Sequence, residues 1–215
     1  MSLAPQSPKR TTSLIQRRSP LAAPSAQLAR LEEVVLELPE SARRPFDAML
    51  ASAGWETFTP SDVEIFQINI GRLCNMTCQH CHVDAGPDRV RENMDREMVD
   101  ACLAALDRTK AHTVDITGGA PELNPHFADL VEACVARGKH VIDRCNLTVL
   151  LLPKYRHLPE WFAERGVEIV ASLPHPRKRN TDAQRGDGTH RRSMEALKLL
   201  NAAGYGKGDP ERVLT

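Results

Sequence analysis

The stretch Cys74-Asn-Met-Thr-Cys78-Gln-His-Cys81 follows a run rich in branched apolar residues, Val63–Ile70. Three cysteines this close together can direct their thiolates to one inorganic centre, and thiolates favour iron–sulfur clusters, zinc or copper(I). A [4Fe–4S] cluster bound by three thiolates keeps one iron without a protein ligand. Because an open coordination position is what a metal site needs for chemistry, we favour an iron–sulfur cluster held by these cysteines.

Two other metal sites remain open at this point. Cys78-Gln-His-Cys81-His82 matches the attachment pattern of a c-type haem, which requires export, whereas the N-terminus shows no apolar signal segment. A structural zinc ion bound by the three cysteines with His80 or His82 is the other alternative, although the commonest zinc sites pair their ligands differently.

The composition excludes several function classes. The 215 residues suffice for one domain of ordinary size, and 28 basic residues balance 28 acidic ones, so we expect no nucleic-acid partner. Aromatic residues make up only 4% of the chain, which disfavours base stacking. Six cysteines without an export signal indicate a reducing, cytoplasmic setting. No apolar stretch approaches the roughly 20 residues that span a membrane, so we expect no membrane partner.

The charge and proline distribution predicts three regions. Residues 1–27 contain basic but no acidic residues, together with several prolines, and are predicted to be a disordered basic tail. An organelle transit peptide is an alternative for this start. Residues 28–60 are predicted to form a helical preface, because apolar residues recur there at helical spacing and Pro39 ends the pattern. Residues 61–215 are predicted to be the main domain.

From residue 63 onward, strand and helix patterns alternate. The predicted strands are Val63–Ile70, Thr113–Thr117, Lys139–Asp143 and Val167–Ser172, and the predicted helices are Met94–Leu106, Pro125–Arg137, Pro153–Arg165 and Arg191–Ala203. This order predicts an α/β fold with a parallel sheet and right-handed crossovers. Reactive groups in such barrels lie at the C-terminal ends of the strands, where the cysteine loop begins.

The other strand ends carry further candidate residues. Gly118 and Gly119 follow the second strand and would let a ligand approach the backbone, although a plain tight turn is the alternative. Asn146 follows the third strand, where its amide could bond a hydroxyl or cap a helix. Ser172 ends the fourth strand. Beyond it, the segment from His175 to His190 is predicted to be a polar loop in which Arg185 clamps a carboxylate or phosphate, or is simply solvated.

These residues together resemble the radical S-adenosylmethionine superfamily, marked by Cys-x3-Cys-x2-Cys after the first strand and a glycine pair after the second. Longer strings resemble the arsenosugar-biosynthesis radical SAM proteins, which carry a Cys-rich C-terminal domain. The matching strings are Gln67-Ile-Asn-Ile-Gly71, Leu73-Cys-Asn-Met-Thr-Cys-Gln-His-Cys-His-Val-Asp-Ala-Gly-Pro87, Asp115-Ile-Thr-Gly-Gly-Ala-Pro-Glu-Leu-Asn-Pro125, Asp143-Arg-Cys-Asn-Leu-Thr148, Ala171-Ser-Leu-Pro174 and Gln184-Arg-Gly-Asp-Gly188.

The resemblance implies a partial, TIM-like (βα)6 barrel of which about four βα units are present. It implies a [4Fe–4S] cluster on Cys74, Cys78 and Cys81, with S-adenosylmethionine chelating the open iron. Gly118 and Gly119 would then hold the methionine part of that cofactor.

The same resemblance assigns Asn146, Ser172 and Arg185 to the ribose or carboxylate of the cofactor. It implies enzymatic formation of a 5′-deoxyadenosyl radical, transfer of that group to a small dimethylated arsenic species, and an electron donor such as a flavodoxin or ferredoxin.

Two departures from that family qualify these expectations. His175 stands where the family usually has a cysteine, and the family continues beyond the position where this chain ends, at Thr215. A C-terminal truncation of this kind would leave Val167–Ser172 as an open parallel edge with poorly covered apolar residues. A radical SAM enzyme with another substrate such as a peptide, an inactive cluster-binding remnant and a structural zinc protein remain as alternatives.

Overall fold

The structure, a computed structural model, describes residues 13–36, 39 and 45–215. They form two compact units, Leu14–Asp62 and Val63–Thr215, the second of which also includes Ser13. None of the helices in the described ranges is long and apolar enough to cross a lipid bilayer.

The smaller unit is helical. A 3-10 helix covers Pro20–Ala22, α1 covers Pro24–Leu36, and α2 covers Phe46–Ser52. Proline suits the first position of α1, because its missing N–H would have no partner there. Residues 20–22 and 24–27 are therefore helical where a disordered tail was expected; the prediction for residues 1–12 lies outside the described residues.

The larger unit is an α/β structure, as predicted. Its strands are β1 (Ile65–Asn69), β2 (Thr113–Thr117), β3 (His140–Asp143) and β4 (Glu168–Ile169), and its helices are α3 (Arg96–Leu106), α4 (Phe127–Ala136), α5 (Leu158–Glu164), α6 (Lys178–Arg185) and α7 (Thr189–Ala202). All the strand pairings are parallel and the order is β1-β2-β3-β4. Short 3-10 helices cover Pro121–Leu123, Leu147–Leu151 and Pro153–Tyr155.

The register of the sheet places one carboxylate on its apolar side. Ile68 pairs with Ile116, Ile116 with Asp143, and Asp143 with Ile169, so these four side chains form a row on one face. The three isoleucines belong to the main apolar core together with side chains of α3, α4 and α5. Asp143 therefore ends β3 inside an apolar row and is fully buried.

The opposite face of the sheet is polar. Gln67 Nε2 donates to Asp115 Oδ2 at 3.0 Å. Arg144 donates two hydrogen bonds to the same carboxylate, from Nε at 2.9 Å and from Nη2 at 2.7 Å. The two faces thus separate an apolar layer under the helices from a polar surface.

The prediction of an open edge at Val167–Ser172 is wrong for β4, because β4 has a hydrogen-bonded neighbour on that side. Residues Val213–Thr215 return beside β4: Ile169 N–H donates to Val213 at 3.0 Å, and Thr215 N–H donates to Ile169 at 2.9 Å. Val167 and Ile169 are both fully buried. The segment after α7 supplies the missing neighbour.

The segment from His175 to His190 is also not the loop that was expected, because α6 lies within it. His175 holds the start of this helix: its Nδ1 accepts the N–H of Arg177 at 2.9 Å, and its carbonyl accepts the hydroxyl of Thr181 at 2.5 Å. The side chains that α6 buries are Thr181 and Arg185. Because both are polar, the sequence shows no apolar periodicity that would predict this helix.

Candidate active site

The three thiols lie on the loop after the C-terminal end of β1. Cys74 is buried, and Cys78 and Cys81 are partly buried. They belong to a small apolar cluster with Met76, Ala85, Ala120 and Val149, separate from the main core. The cysteines thus lie at the C-terminal end of a strand, where the reactive groups were expected.

The glycine turn after β2 supports this loop directly. Gly119 N–H donates to the carbonyl of Gly71, and Ala120 N–H to that of Leu73, both at 2.9 Å. A Cβ on Gly119 would lie 2.6 Å from the Leu73 oxygen and 2.8 Å from the Arg72 oxygen. The close backbone approach found here is therefore to the cysteine loop itself, while contact of Gly118 and Gly119 with a cofactor stays a prediction.

A buried arginine fixes the far side of the loop. Arg89 is only 1% exposed; its Nε donates to the Asp84 carbonyl at 3.0 Å, and it forms ion pairs with the carboxylates of Asp84 and Glu92. Nothing in the sequence analysis identified Arg89, because a single arginine in a polar stretch has the pattern of a surface residue.

Asn146 contacts the first cysteine. Its Nδ2 donates to the sulfur of Cys74 at 3.3 Å and to Asn75 Oδ1 at 2.8 Å. Its Oδ1 accepts from the hydroxyl of Thr148 at 3.1 Å and, more weakly, from Arg185 at 3.4 Å. Both amide hydrogens are therefore used within the protein, and the residue is buried. The sequence placed Asn146 at the site but suggested a cofactor hydroxyl as its partner.

Helix α6 brings Arg185 to the second cysteine. The N–H of Gln79 donates to the carbonyl of Gln184 at 2.9 Å, which ties the loop to the end of α6. The positive charge of Arg185 lowers the pKa of Cys78. Ser172 lies just beyond β4, where its N–H donates to the Cys145 carbonyl at 3.2 Å.

Burial raises the pKa of two of the loop thiols, Cys74 and Cys78. It raises the pKa of Cys74 to about 12, and the neighbouring Cys78, Glu122 and Cys81 add to the rise. Burial also raises the pKa of Cys78, against the opposing effect of the Arg185 charge. At neutral pH Cys74 and Cys78 are therefore thiols in the metal-free loop, and a metal must displace their protons on binding.

The spacing of the thiols distinguishes a cluster from a single ion. Within the described part of the chain, the His, Cys, Asp and Glu residues whose ligand atoms all lie within 4.8 Å of one another are Glu122, Asp143 and Cys145. The loop thiols do not form such a set, and His80 and His82 are exposed. In a cubane cluster each thiolate binds a different iron, so the donors present fit a cluster better than one zinc ion.

Beneath the loop lies a buried group that sequence reasoning missed. Glu122, which follows β2, accepts the N–H of Asn146 at 2.9 Å. Asp143 is the last residue of β3, and Cys145 lies two residues after it. Asp143 and Cys145 fall within a string quoted for the resemblance, but only the sheet register shows that Asp143 turns to the apolar side, and only the fold shows Cys145 in the main core.

Comparison with protein families and curated proteins gives a consistent result. Residues 68–209 match the profile of the Radical SAM superfamily. Mycofactocin maturase MftC of Mycobacterium ulcerans is 30% identical over 142 residues, which cover 66% of this chain and 37% of that protein. The protein of the same name from Mycobacterium tuberculosis is 30% identical over 61% of this chain and 33% of its own length. The chain thus spans about a third of the length of these relatives.

Solved structures show the same fold. Streptococcus suis SuiB bound to its precursor peptide SuiA superposes with a TM-score of 0.54 at 19% identity, covering 73% of this chain and 34% of SuiB. Native anSMEcpe with bound AdoMet and a peptide gives 0.52 at 17% identity, covering 65% of this chain and 40% of that one.

Proposed function

The chain belongs to the radical SAM superfamily, whose members are enzymes that use a [4Fe–4S] cluster and S-adenosylmethionine, and we propose that Cys74, Cys78 and Cys81 hold the cluster here. The observation that carries this assignment is the gathering of the three thiols at the end of β1, within reach of hydrogen-bond donors and one cation.

The chain's own residues would stabilise bound thiolates. Asn146 donates to Cys74, the backbone N–H of Ala85 donates to the sulfur of Cys81 at 3.2 Å, and Arg185 places a positive charge beside Cys78. Such donors and charges tune the electronics of a metal centre. When bound, the cluster supplies the electron that cleaves S-adenosylmethionine to a 5′-deoxyadenosyl radical.

For the substrate, we propose a dimethylated arsenic species that receives the deoxyadenosyl group. The support is the set of strings shared with the arsenosugar-biosynthesis proteins. His175 replaces the usual cysteine there and is engaged with the start of α6, so a soft ligand for arsenic would have to come from another residue. Residues 61–215 would form the radical SAM core, with an electron donor such as a flavodoxin or ferredoxin.

Peptide modification is the second candidate function. The curated relatives are named maturases, and two of the structural neighbours hold peptides. These names describe the relatives, and they motivate a peptide arm in the test.

The test begins with anaerobic reconstitution of the 215-residue chain with iron and sulfide. We expect about four irons per chain and release of 5′-deoxyadenosine on reduction with S-adenosylmethionine. Cys78→Ala should lose most of the iron, whereas Cys102→Ala, a cysteine on α3, should keep it. Stoichiometric zinc without visible absorption would contradict the assignment.

The substrate arms use the same protein. Dimethylarsinous acid should yield an adenosylated arsenic product detectable by mass spectrometry. Modification of a peptide without any arsenic product would instead support the second candidate.

A further inference from the structure

Glu122, Asp143 and Cys145, called the buried trio below, form a second cluster of metal-ligating groups outside the cysteine loop. One ligand atom from each lies within 4.8 Å of the others, and all three residues are buried. Asp143 and Cys145 are fully inaccessible, and Glu122 is 3% exposed. They come from two neighbouring strand ends, since Glu122 lies in the 3-10 helix after β2.

Three of the four carboxylate oxygens in the buried trio lack hydrogen-bond partners. Neither Oδ1 nor Oδ2 of Asp143 has a hydrogen-bond partner, and neither does Oε2 of Glu122. Buried polar atoms are nearly always satisfied, because each unsatisfied one forfeits its hydration without compensation. Three such atoms on two adjoining carboxyl groups, beside the thiol of Cys145, indicate a missing electrophilic partner.

The formal charges define that partner. With the trio ionised, three negative charges face the positive charge of Arg185, which acts electrostatically on Glu122 and Cys145. A divalent cation would leave the group neutral. Neutrality matters here because an uncompensated charge in a fully buried site is strongly unfavourable.

The donor atoms define the kind of cation. Two carboxylates and one thiolate combine hard and soft ligands, a set suited to a borderline ion such as Zn²⁺ and poorly suited to Ca²⁺ or Mg²⁺. Ligand atoms around a tetrahedral ion lie about 3.3–3.7 Å apart, given metal–ligand distances of about 2.0–2.3 Å. The observed spacing needs only a modest inward rotation of the side chains.

We propose that Glu122, Asp143 and Cys145 form a second metal site that binds one divalent transition-metal cation of Zn²⁺ type. The site lies directly under the cysteine loop, because Glu122 accepts the N–H of Asn146, whose side chain bonds Cys74. A bound cation fixes the strand end from which Asn146 reaches the loop. The proposal holds whether or not the loop carries an iron–sulfur cluster.

The experiment removes the loop as a competing site. In the full 215-residue chain, Cys74, Cys78 and Cys81 are changed to serine, and the chelator-treated protein is titrated anaerobically with Co²⁺ and then Zn²⁺. We expect one equivalent of Co²⁺ with a thiolate-to-cobalt charge-transfer band, which Zn²⁺ abolishes. In this background Cys145→Ser should remove the band, and Asp143→Asn should weaken binding at least tenfold.

Cys134→Ser is the matched control, because Cys134 is an equally buried thiol that belongs to α4 and not to the trio. It should leave the band intact. Absence of the band, or its survival in Cys145→Ser, would overturn the proposal and leave the carboxyls of the trio holding protons instead.

A second measurement covers the case in which the triple serine chain does not fold. Zinc retained after a chelator wash is counted in the otherwise unaltered chain and in Asp143→Asn by plasma emission. The variant should retain one zinc fewer, and equal counts would overturn the proposal.

Discussion

The side-chain amide of Asn146 lies 3.3 Å from the sulfur of Cys74 and donates a hydrogen bond to it. A donor to a thiolate stabilises the more negative, reduced state of an iron–sulfur cluster and so raises its potential. This contact places the side-chain amide of Asn146, a residue outside the loop, directly on the sulfur of Cys74.

Replacing Asn146 by leucine should lower the cluster potential. Loss of a hydrogen bond that strengthens by about 1 kcal/mol on reduction corresponds to roughly 40 mV. A redox titration followed by electron paramagnetic resonance measures the shift, with iron content checked in parallel. Thr148→Val is the control, since it disturbs the same polar network but leaves the Asn146–Cys74 bond in place. Equal potentials in Asn146→Leu and the unaltered protein would contradict this role.

Gly119→Ala should destabilise the cysteine loop. The new Cβ would lie 2.6 Å from the Leu73 oxygen, and such overpacking typically costs about 1–3 kcal/mol. We expect a lower free energy of unfolding and faster labelling of Cys78 by a thiol reagent. Gly138→Ala is the comparison, because it strains a positive φ but meets no atom within 4 Å, and it lies at the end of α4. Labelling rates that rise equally in both variants would argue against local loosening.

Arg185→Gln should make Cys78 harder to ionise. The guanidinium lowers the pKa of Cys78 against the opposing effect of burial, so its removal raises that pKa further. Alkylation of Cys78 in the metal-free protein at mildly alkaline pH should become several-fold slower, since the thiolate is the reactive form. Arg179→Gln, an exposed position on the same helix, should leave the rate unchanged. A rate unaffected by Arg185→Gln would show that its charge does not reach Cys78.

The stability of the metal-free protein should fall as pH rises. Burial raises the pKa of Glu122 from 4.5 to about 7 and that of Asp143 well above its ordinary value. A carboxyl whose pKa is higher in the folded state stabilises the fold below its unfolded pKa, and this contribution disappears as pH rises through the folded pKa.

The free energy of unfolding should therefore decline between about pH 4.5 and 7. Asp143→Asn should flatten that decline, because one buried carboxyl no longer titrates. Denaturant melts across this window, in chelator, measure it. Parallel curves for the two proteins would exclude a contribution from Asp143.

Removing residues 213–215 should destabilise the larger unit. The deletion breaks the two backbone hydrogen bonds of Ile169 in β4 and the bond from Ala171 N–H, just beyond β4, to Thr215 at 2.7 Å, and it uncovers Ile169. At about 1 kcal/mol for each hydrogen bond, we expect a loss of roughly 3 kcal/mol in a thermal or denaturant melt. Thr215→Ala keeps the backbone and should change little. A deletion variant as stable as the 215-residue chain would contradict this prediction and show that residues 213–215 do not stabilise the edge at β4.

The sequence predicted the strand Thr113–Thr117 with its observed bounds, because branched residues are bounded there by polar residues and glycine. It also placed the cysteine loop at a strand end. It missed α6, whose buried residues are Thr181 and Arg185 and so lack an apolar signature. It could not show the role of Asp143, because the side that a strand residue faces depends on register.

The N–H of Gln79 in the cysteine loop donates to the carbonyl of Gln184 in α6. This bond joins the cysteine loop to the last turn of α6, so we expect a conformational change in the loop to loosen the end of that helix. That helix and its approach carry Arg177, Lys178, Arg179 and Arg185, which are cleavage points for trypsin-like proteases. We therefore expect cleavage by such proteases at α6 to become faster when the loop is disturbed, as in Gly119→Ala.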